Sequence, residues 1–149
     1  MKIAICDDQG HVRDALARIL RPKFPTAHIV EAADWGTTLA ACGHTPFDLV
    51  VVEPAMPGMA PLTGLKALQC HDGGHVAVLS RIDDPKDICR MFACGASGYI
   101  PKSFRIASVE AALQLIIAGE IFVPASVIEA RMKPCAHAPA AVQRSFSIH

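Results

Sequence analysis

A chain of 149 residues is long enough for one domain with a buried core, and 52% hydrophobic against 19% charged residues excludes a disordered polymer. Fourteen basic and fourteen acidic side chains cancel, which argues against autonomous binding to nucleic acid or to an anionic membrane surface. No apolar run approaches the roughly 20 residues of a spanning helix, and no basic segment leads into an apolar signal core, so a cytoplasmic protein without membrane contact is expected.

Strand patterns alternate with helical ones along the chain. Ile3 to Cys6 is an apolar strand that ends in the acidic pair Asp7 and Asp8. Val12, Leu16, Ile19 and Leu20 recur at helical spacing, and Pro22 is expected to stop that helix. His28 to Ala32 is a second strand. Asp34 caps a helix to about Cys42, with Gly43 ending it. Asp48 to Val52 is the third strand, closed by Glu53, and residues 54 to 61, with three prolines and a glycine, form a loop. A short helix covers Leu62 to Gln69, and Val76 to Leu79 is a fourth strand ending in Ser80. Asp84-Pro85 opens a helix through Ala93 that Gly95 closes, and Gly98 to Pro101 is the fifth strand. Ile106, Val109, Leu113, Ile116 and Ile117 then form the inner stripe of a helix ended by Gly119.

Five strand–helix units predict an α/β fold: a doubly wound, five-stranded parallel sheet in the order 2-1-3-4-5, with helices on both faces. Residues 1–124 are assigned to this domain. Residues 125–149 are expected to be a helix end followed by a linker or disordered tail, because periodicity is lost after Ile128. The six cysteines, at 6, 42, 70, 89, 94 and 135, contain no Cys-x-x-Cys pair and no matching histidine spacing, so ordinary thiols in a reducing compartment are expected. The seven histidines are scattered and form no ligand pattern.

Ligand sites in such folds lie beyond the carboxyl ends of the strands. Asp7, Asp8 and Glu53 fall there and would repel one another unless a hard cation or a lysine stood among them. Lys102, just after Tyr99-Ile100-Pro101, is placed to be that lysine, so the constellation points to a site for a metal ion and a phosphoryl group.

These residues, with Met56-Pro57-Gly58, Ser80 and the stretch Gly95 to Ser103, resemble the receiver domain of bacterial two-component response regulators. The stretch Gly95 to Ser103, and Ala118-Gly119-Glu120 with Val123-Pro124, look most like the NarL/FixJ (LuxR-type) subfamily. The resemblance implies a signalling domain rather than an enzyme, with Asp7, Asp8 and residue 53 holding Mg²⁺. Residue 53 would normally be the aspartate that takes phosphate from a histidine kinase or phosphorelay protein. Lys102 would pair with the phosphoryl oxygens. Ser80 and Tyr99 would turn inward and change the surface of the fourth helix, fifth strand and fifth helix. Homodimers through that surface, or through the first and fifth helices, are implied, while DNA would be met only through an output domain absent from these residues.

The chain departs from this pattern at its centre. Glu53 is one methylene longer than Asp, and a misplacement on the order of 1 Å can cost about a hundredfold in rate. Its charge near Lys102 and Ser80 can instead imitate, imperfectly, an aspartyl phosphate. Pro54 lacks the N–H that could cradle phosphate oxygens. Arg81 is bulkier than the small residue usual after the switch serine, and it either covers the pocket, pairs with Glu53 or lies on the surface. The expected function is therefore an atypical receiver, not switched by ordinary aspartyl phosphorylation and acting through protein contacts. Two alternatives stand beside it. One is a phosphorylatable receiver of a LuxR-type transcription regulator; the other is a Mg²⁺-dependent phosphoryl-transfer site, although Asp7 and Asp8 lack the Asp-x-Asp spacing of hydrolases.

Overall fold

The computed structural model describes residues 1–68 and 74–132. Five strands, β1 (Lys2–Cys6), β2 (His28–Ala32), β3 (Leu49–Val52), β4 (His75–Ser80) and β5 (Gly98–Pro101), form one sheet in the order β2-β1-β3-β4-β5. Every pairing is parallel. Six helices connect and extend them: α1 (Gly10–Lys23), α2 (Trp35–His44), α3 (Pro61–Leu68), α4 (Pro85–Ala93), α5 (Ile106–Ile117) and α6 (Ala125–Met132).

Successive side chains of a strand point to opposite faces, so each central strand feeds two cores. On one face Ile3, Ile5, Leu49, Val51 and Ile100 pack against Leu16 and Leu20 of α1 and against Val109, Leu113 and Ile116 of α5. On the other, Val50, Val52, Val78 and Tyr99 meet Trp35 of α2, Leu65 of α3, Ile88 and Met91 of α4, and Val127 and Ile128 of α6. All four residues of β3 are buried, as a strand covered on both sides requires. The expected architecture and strand order are therefore those observed.

Several boundaries differ for local reasons. Pro22 lies inside α1 rather than stopping it. A proline forfeits one backbone bond near a helix end, and the helix runs one residue further, until the Phe24 N–H closes on the Leu20 carbonyl at 2.9 Å. Gly43 does not end α2, which continues to His44, and Gly43 has no positive φ. Pro61 opens α3 instead of belonging to the loop, since a proline at the first helical position loses no bond. Gly95 (φ 102°) and Gly119 (φ 93°) do close their helices. Ile106 does not join the inner stripe of α5; it is 64% exposed. Residues 125–132, assigned above to a helix end and tail outside the domain, form α6, whose Val127 and Ile128 are buried in the core, and the remainder of that stretch, 133–149, lies outside the described residues. Gln69, Cys70 and Cys135 also lie outside them, and the four described cysteines are free thiols. No helix among the described residues is long and apolar enough to cross a membrane.

Candidate functional site

The strand ends bring Asp7, Glu53, Ser80 and Lys102 together. After β1 the Asp7 N–H bonds the Ala32 carbonyl (3.0 Å), and Asp7 Oδ1 accepts the Gln9 N–H at 2.9 Å, turning the chain into α1. The Glu53 N–H bonds the Cys6 carbonyl (2.9 Å), which fixes the acid beside Asp7. The Lys102 N–H bonds the Ser80 carbonyl (2.9 Å) and brings the lysine over both. Asp7 and Glu53 are 1% and 7% exposed, two carboxylates withdrawn from water at one point.

Lys102 is their counter-charge. Its Nζ donates to Glu53 Oε1 (3.0 Å) and to Gln9 Oε1 (3.3 Å). It also stands 2.8 Å from Asp7 Oδ2, so one ammonium forms buried ion pairs with both acids. Burial opposes the ammonium, but Asp7 and Glu53 outweigh it and hold the Lys102 pKa above the ordinary amine value. Glu53 Oε2 accepts the Ala55 N–H at 3.3 Å. Both oxygens of Glu53 are thus engaged, and the first backbone donor after Pro54 is spent on the acid itself.

Asp8 is exposed at the lip of the site. Among the described residues no three His, Cys, Asp or Glu side chains form a group able to hold a metal ion. Asp7 Oδ2 has lone pairs to offer a cation, but the ammonium of Lys102 already stands between Asp7 and Glu53. As these side chains stand, they fit a lysine rather than a divalent ion.

The other rim is built around Tyr99. Ser80 Oγ accepts the Ile82 N–H at 3.3 Å, so its own loop engages that hydroxyl. The Tyr99 hydroxyl donates to the Ile82 carbonyl, with the Ser80 carbonyl 3.2 Å away as a second acceptor. Tyr99 is 2% exposed, and burial, then the charges of Glu53 and Asp83, push its phenol well above the ordinary range. Arg81 is exposed and has no ion-pair partner among the described residues; Glu53 pairs with Lys102 instead. A cavity of about 250 Å³ lies between these groups, lined by Ser80, Arg81, Asp83, Tyr99, Lys102 and Val127 among others.

Three participants carry no local signal in the sequence. Gln9 is the N-cap of α1 yet makes no side-chain cap, because its amide oxygen faces Lys102. Trp35 fastens the loop after Glu53: its indole N–H donates to the Pro54 carbonyl and its backbone N–H to the Pro57 carbonyl, both at 3.0 Å. A Cβ on Gly64 would overlap the Trp35 ring, so the only tryptophan of the chain and that glycine form a pair. Val127 is the third; no local pattern announces that α6 folds back onto the site.

Residues 3–114 match the response regulator receiver domain family. The "Glycerol metabolism activator" of Pseudomonas putida is 30% identical over 129 residues, covering 85% of this chain and 58% of that protein. The crystal structure of a LuxR family two-component response regulator from Aurantimonas superposes with a TM-score of 0.79 at 25% identity, over 91% of this chain and 98% of that one. A LuxR family DNA-binding response regulator from Silicibacter pomeroyi gives 0.72 at 28% identity, over 85% and 98%. The chain spans 35–61% of the length of the curated relatives it matches.

Proposed function

This chain belongs to the response regulator receiver domain family, and from that premise we propose that it is an atypical receiver whose acidic site is closed from within rather than switched by phosphate on an aspartate. Receiver domains are signalling domains; those of response regulators interact with histidine kinases, often dimerise and typically bind Mg²⁺ at the acceptor site. The observation that carries the proposal is the engagement of both Glu53 oxygens, one by Lys102 and one by Ala55 N–H. An attacking carboxylate needs a free oxygen aimed at phosphorus, and the acceptors of Lys102 must be surrendered before it can meet a phosphoryl group. Asp7 is the proposed acidic floor with Asp8 at its lip, Lys102 the fixed cation, and Ser80 and Tyr99 the switch positions held in one state. Arg81 is assigned to the surface, beside the pocket rather than over it. Output then passes through protein contacts, including self-association through the α1/α5 face.

Incubation with acetyl phosphate, beside the Glu53→Asp variant, tests this. The wild type is expected to carry no stable label and the variant to accept one. Stable stoichiometric label on Glu53 would overturn the reading. A second reading, a phosphorylatable receiver of a LuxR-type transcription regulator, is favoured by the retention of Asp7, Ser80, Tyr99 and Lys102 in one site and by the names of the relatives. Label on Glu53 is the result that would install it.

A further inference from the structure

After α5 the chain turns back on itself. Gly119, at positive φ, lets its N–H reach the Ile116 carbonyl and the Glu120 N–H reach the Leu115 carbonyl, both at 3.0 Å. The next residues lie along the outer edge of β5. The Phe122 N–H bonds the Ser97 carbonyl (3.1 Å), the Tyr99 N–H bonds the Phe122 carbonyl (3.0 Å), and Gly98 and Phe122 form a parallel bridge. Gly98 permits this approach, since a Cβ there would overlap Ile116 and crowd Phe122. Pro124 then accepts the Val127 N–H (3.0 Å) and starts α6, which packs on α4.

The apolar side of this segment closes over Tyr99. Val123, Val127 and Ile128 are buried in one cluster with Ile88, Met91, Cys94 and Tyr99. Val127, Ile88 and Tyr99 also share the cavity that opens toward Ser80 and Lys102. The phenol is therefore fixed from two directions: its hydroxyl by the Ile82 carbonyl, and the strand that carries it by Phe122.

We propose that residues 120–132 are an intramolecular clamp: α6 occupies the α4–β5 face as its own partner and keeps Tyr99 turned inward. A protein partner, or a second copy of this chain, then gains that face only by displacing α6, and the position of Tyr99 is coupled to that of α6. The proposal holds whether or not Glu53 ever accepts phosphate, so labelling of Glu53 and the test below succeed or fail separately.

Tyr99 is the only tyrosine of the chain, so chemistry on phenols reports this position alone. Nitration of the full chain with tetranitromethane near neutral pH, followed by the mass of the Tyr99 peptide, compares wild type with Val127→Asp. The clamp predicts slow nitration of the wild type and a rate at least about tenfold higher in the folded variant, as expected when a local opening becomes more populated. Equal protection of Tyr99 in a folded Val127→Asp would overturn it. Where that variant does not fold, hydrogen exchange of the wild type decides. The Tyr99, Phe122, Val127 and Ile128 amides are expected to exchange in step, whereas α6 amides exchanging about a hundredfold faster than that of Tyr99 would show that α6 leaves without releasing the tyrosine.

Discussion

At the Asp7–Glu53–Lys102 rim of the site, buried side chains hold one another by charge; at the Tyr99 rim, packing from α4 and α6 and two carbonyls hold a neutral phenol. The two rims share the Ser80 carbonyl, which accepts the Lys102 N–H from one side and lies beside the Tyr99 hydroxyl on the other. One rim is therefore sensitive to whatever changes charge, and the other to whatever removes apolar volume. The difference teaches that two neighbouring parts of one site can be held by different forces, charge on one side and packing on the other, and substitutions can probe each in turn.

The largest effect is expected at the charged rim. Lys102→Met leaves Asp7 and Glu53 buried without a counter-charge, and breaking a buried pair in this way costs about 3–5 kcal/mol. Urea denaturation at neutral pH measures it, and the deficit should shrink in acid, where protons can take the lysine's place. The wild type carries the opposite sign. Because the Lys102 pKa is raised, its contribution is complete below the unfolded value of about 10.4 and is lost only as pH climbs through the higher folded value. A Lys102→Met protein as stable as wild type at neutral pH would show that the charges on this rim do not hold it.

Much of this contrast is legible in the sequence, and the part that is not has physical causes. Apolar runs such as Leu49 to Val52 and the acids and lysine that follow strands disclose the sheet and the charged rim, because strand periodicity and strand-end chemistry are local in sequence. Pro22 and Gly43 mislead because tertiary packing carries a helix past a weak stop near its end. Ile106 misleads because an apolar residue at helical spacing can still lie at the edge of the buried stripe. The roles of Gln9, Trp35 and Val127 depend on contacts across long stretches of chain, Gln9 with Lys102 being 93 residues apart, and no local pattern encodes such a meeting.

A smaller effect is expected at the Tyr99 rim. Val127→Ala removes two buried carbons, which at about 0.8 kcal/mol per buried CH₂ weakens the fold by about 1–2 kcal/mol. This loss should be nearly the same from pH 5 to pH 8, in contrast to that of Lys102→Met, since no charge is touched. Denaturation curves at several pH values distinguish the two, and a strong pH dependence in Val127→Ala would mean that the rims are not independent.

The smallest effect on the fold is expected on the far side of the sheet, where the contrast with α6 is sharpest. No segment among the described residues covers the groove between α1 and α5 as α6 covers α4. Ile106 is 64% exposed there and lines two cavities of about 230 and 280 Å³ together with Ala15 and Ile19, near the Lys23–Glu110 ion pair at 2.8 Å. Ile106→Glu should change folding stability by no more than about 0.5 kcal/mol, as surface substitutions do. Its effect should fall on self-association instead. A two-fold interface places each residue in the contact twice, so the variant carries two new charges there and should bind itself at least about tenfold more weakly. Sedimentation of wild type and variant at matched concentrations reads this directly. A wild type that associates while Ile106→Glu associates equally well would move the interface off this face, and would require α6 to give way before copies could meet on the α4–β5 side.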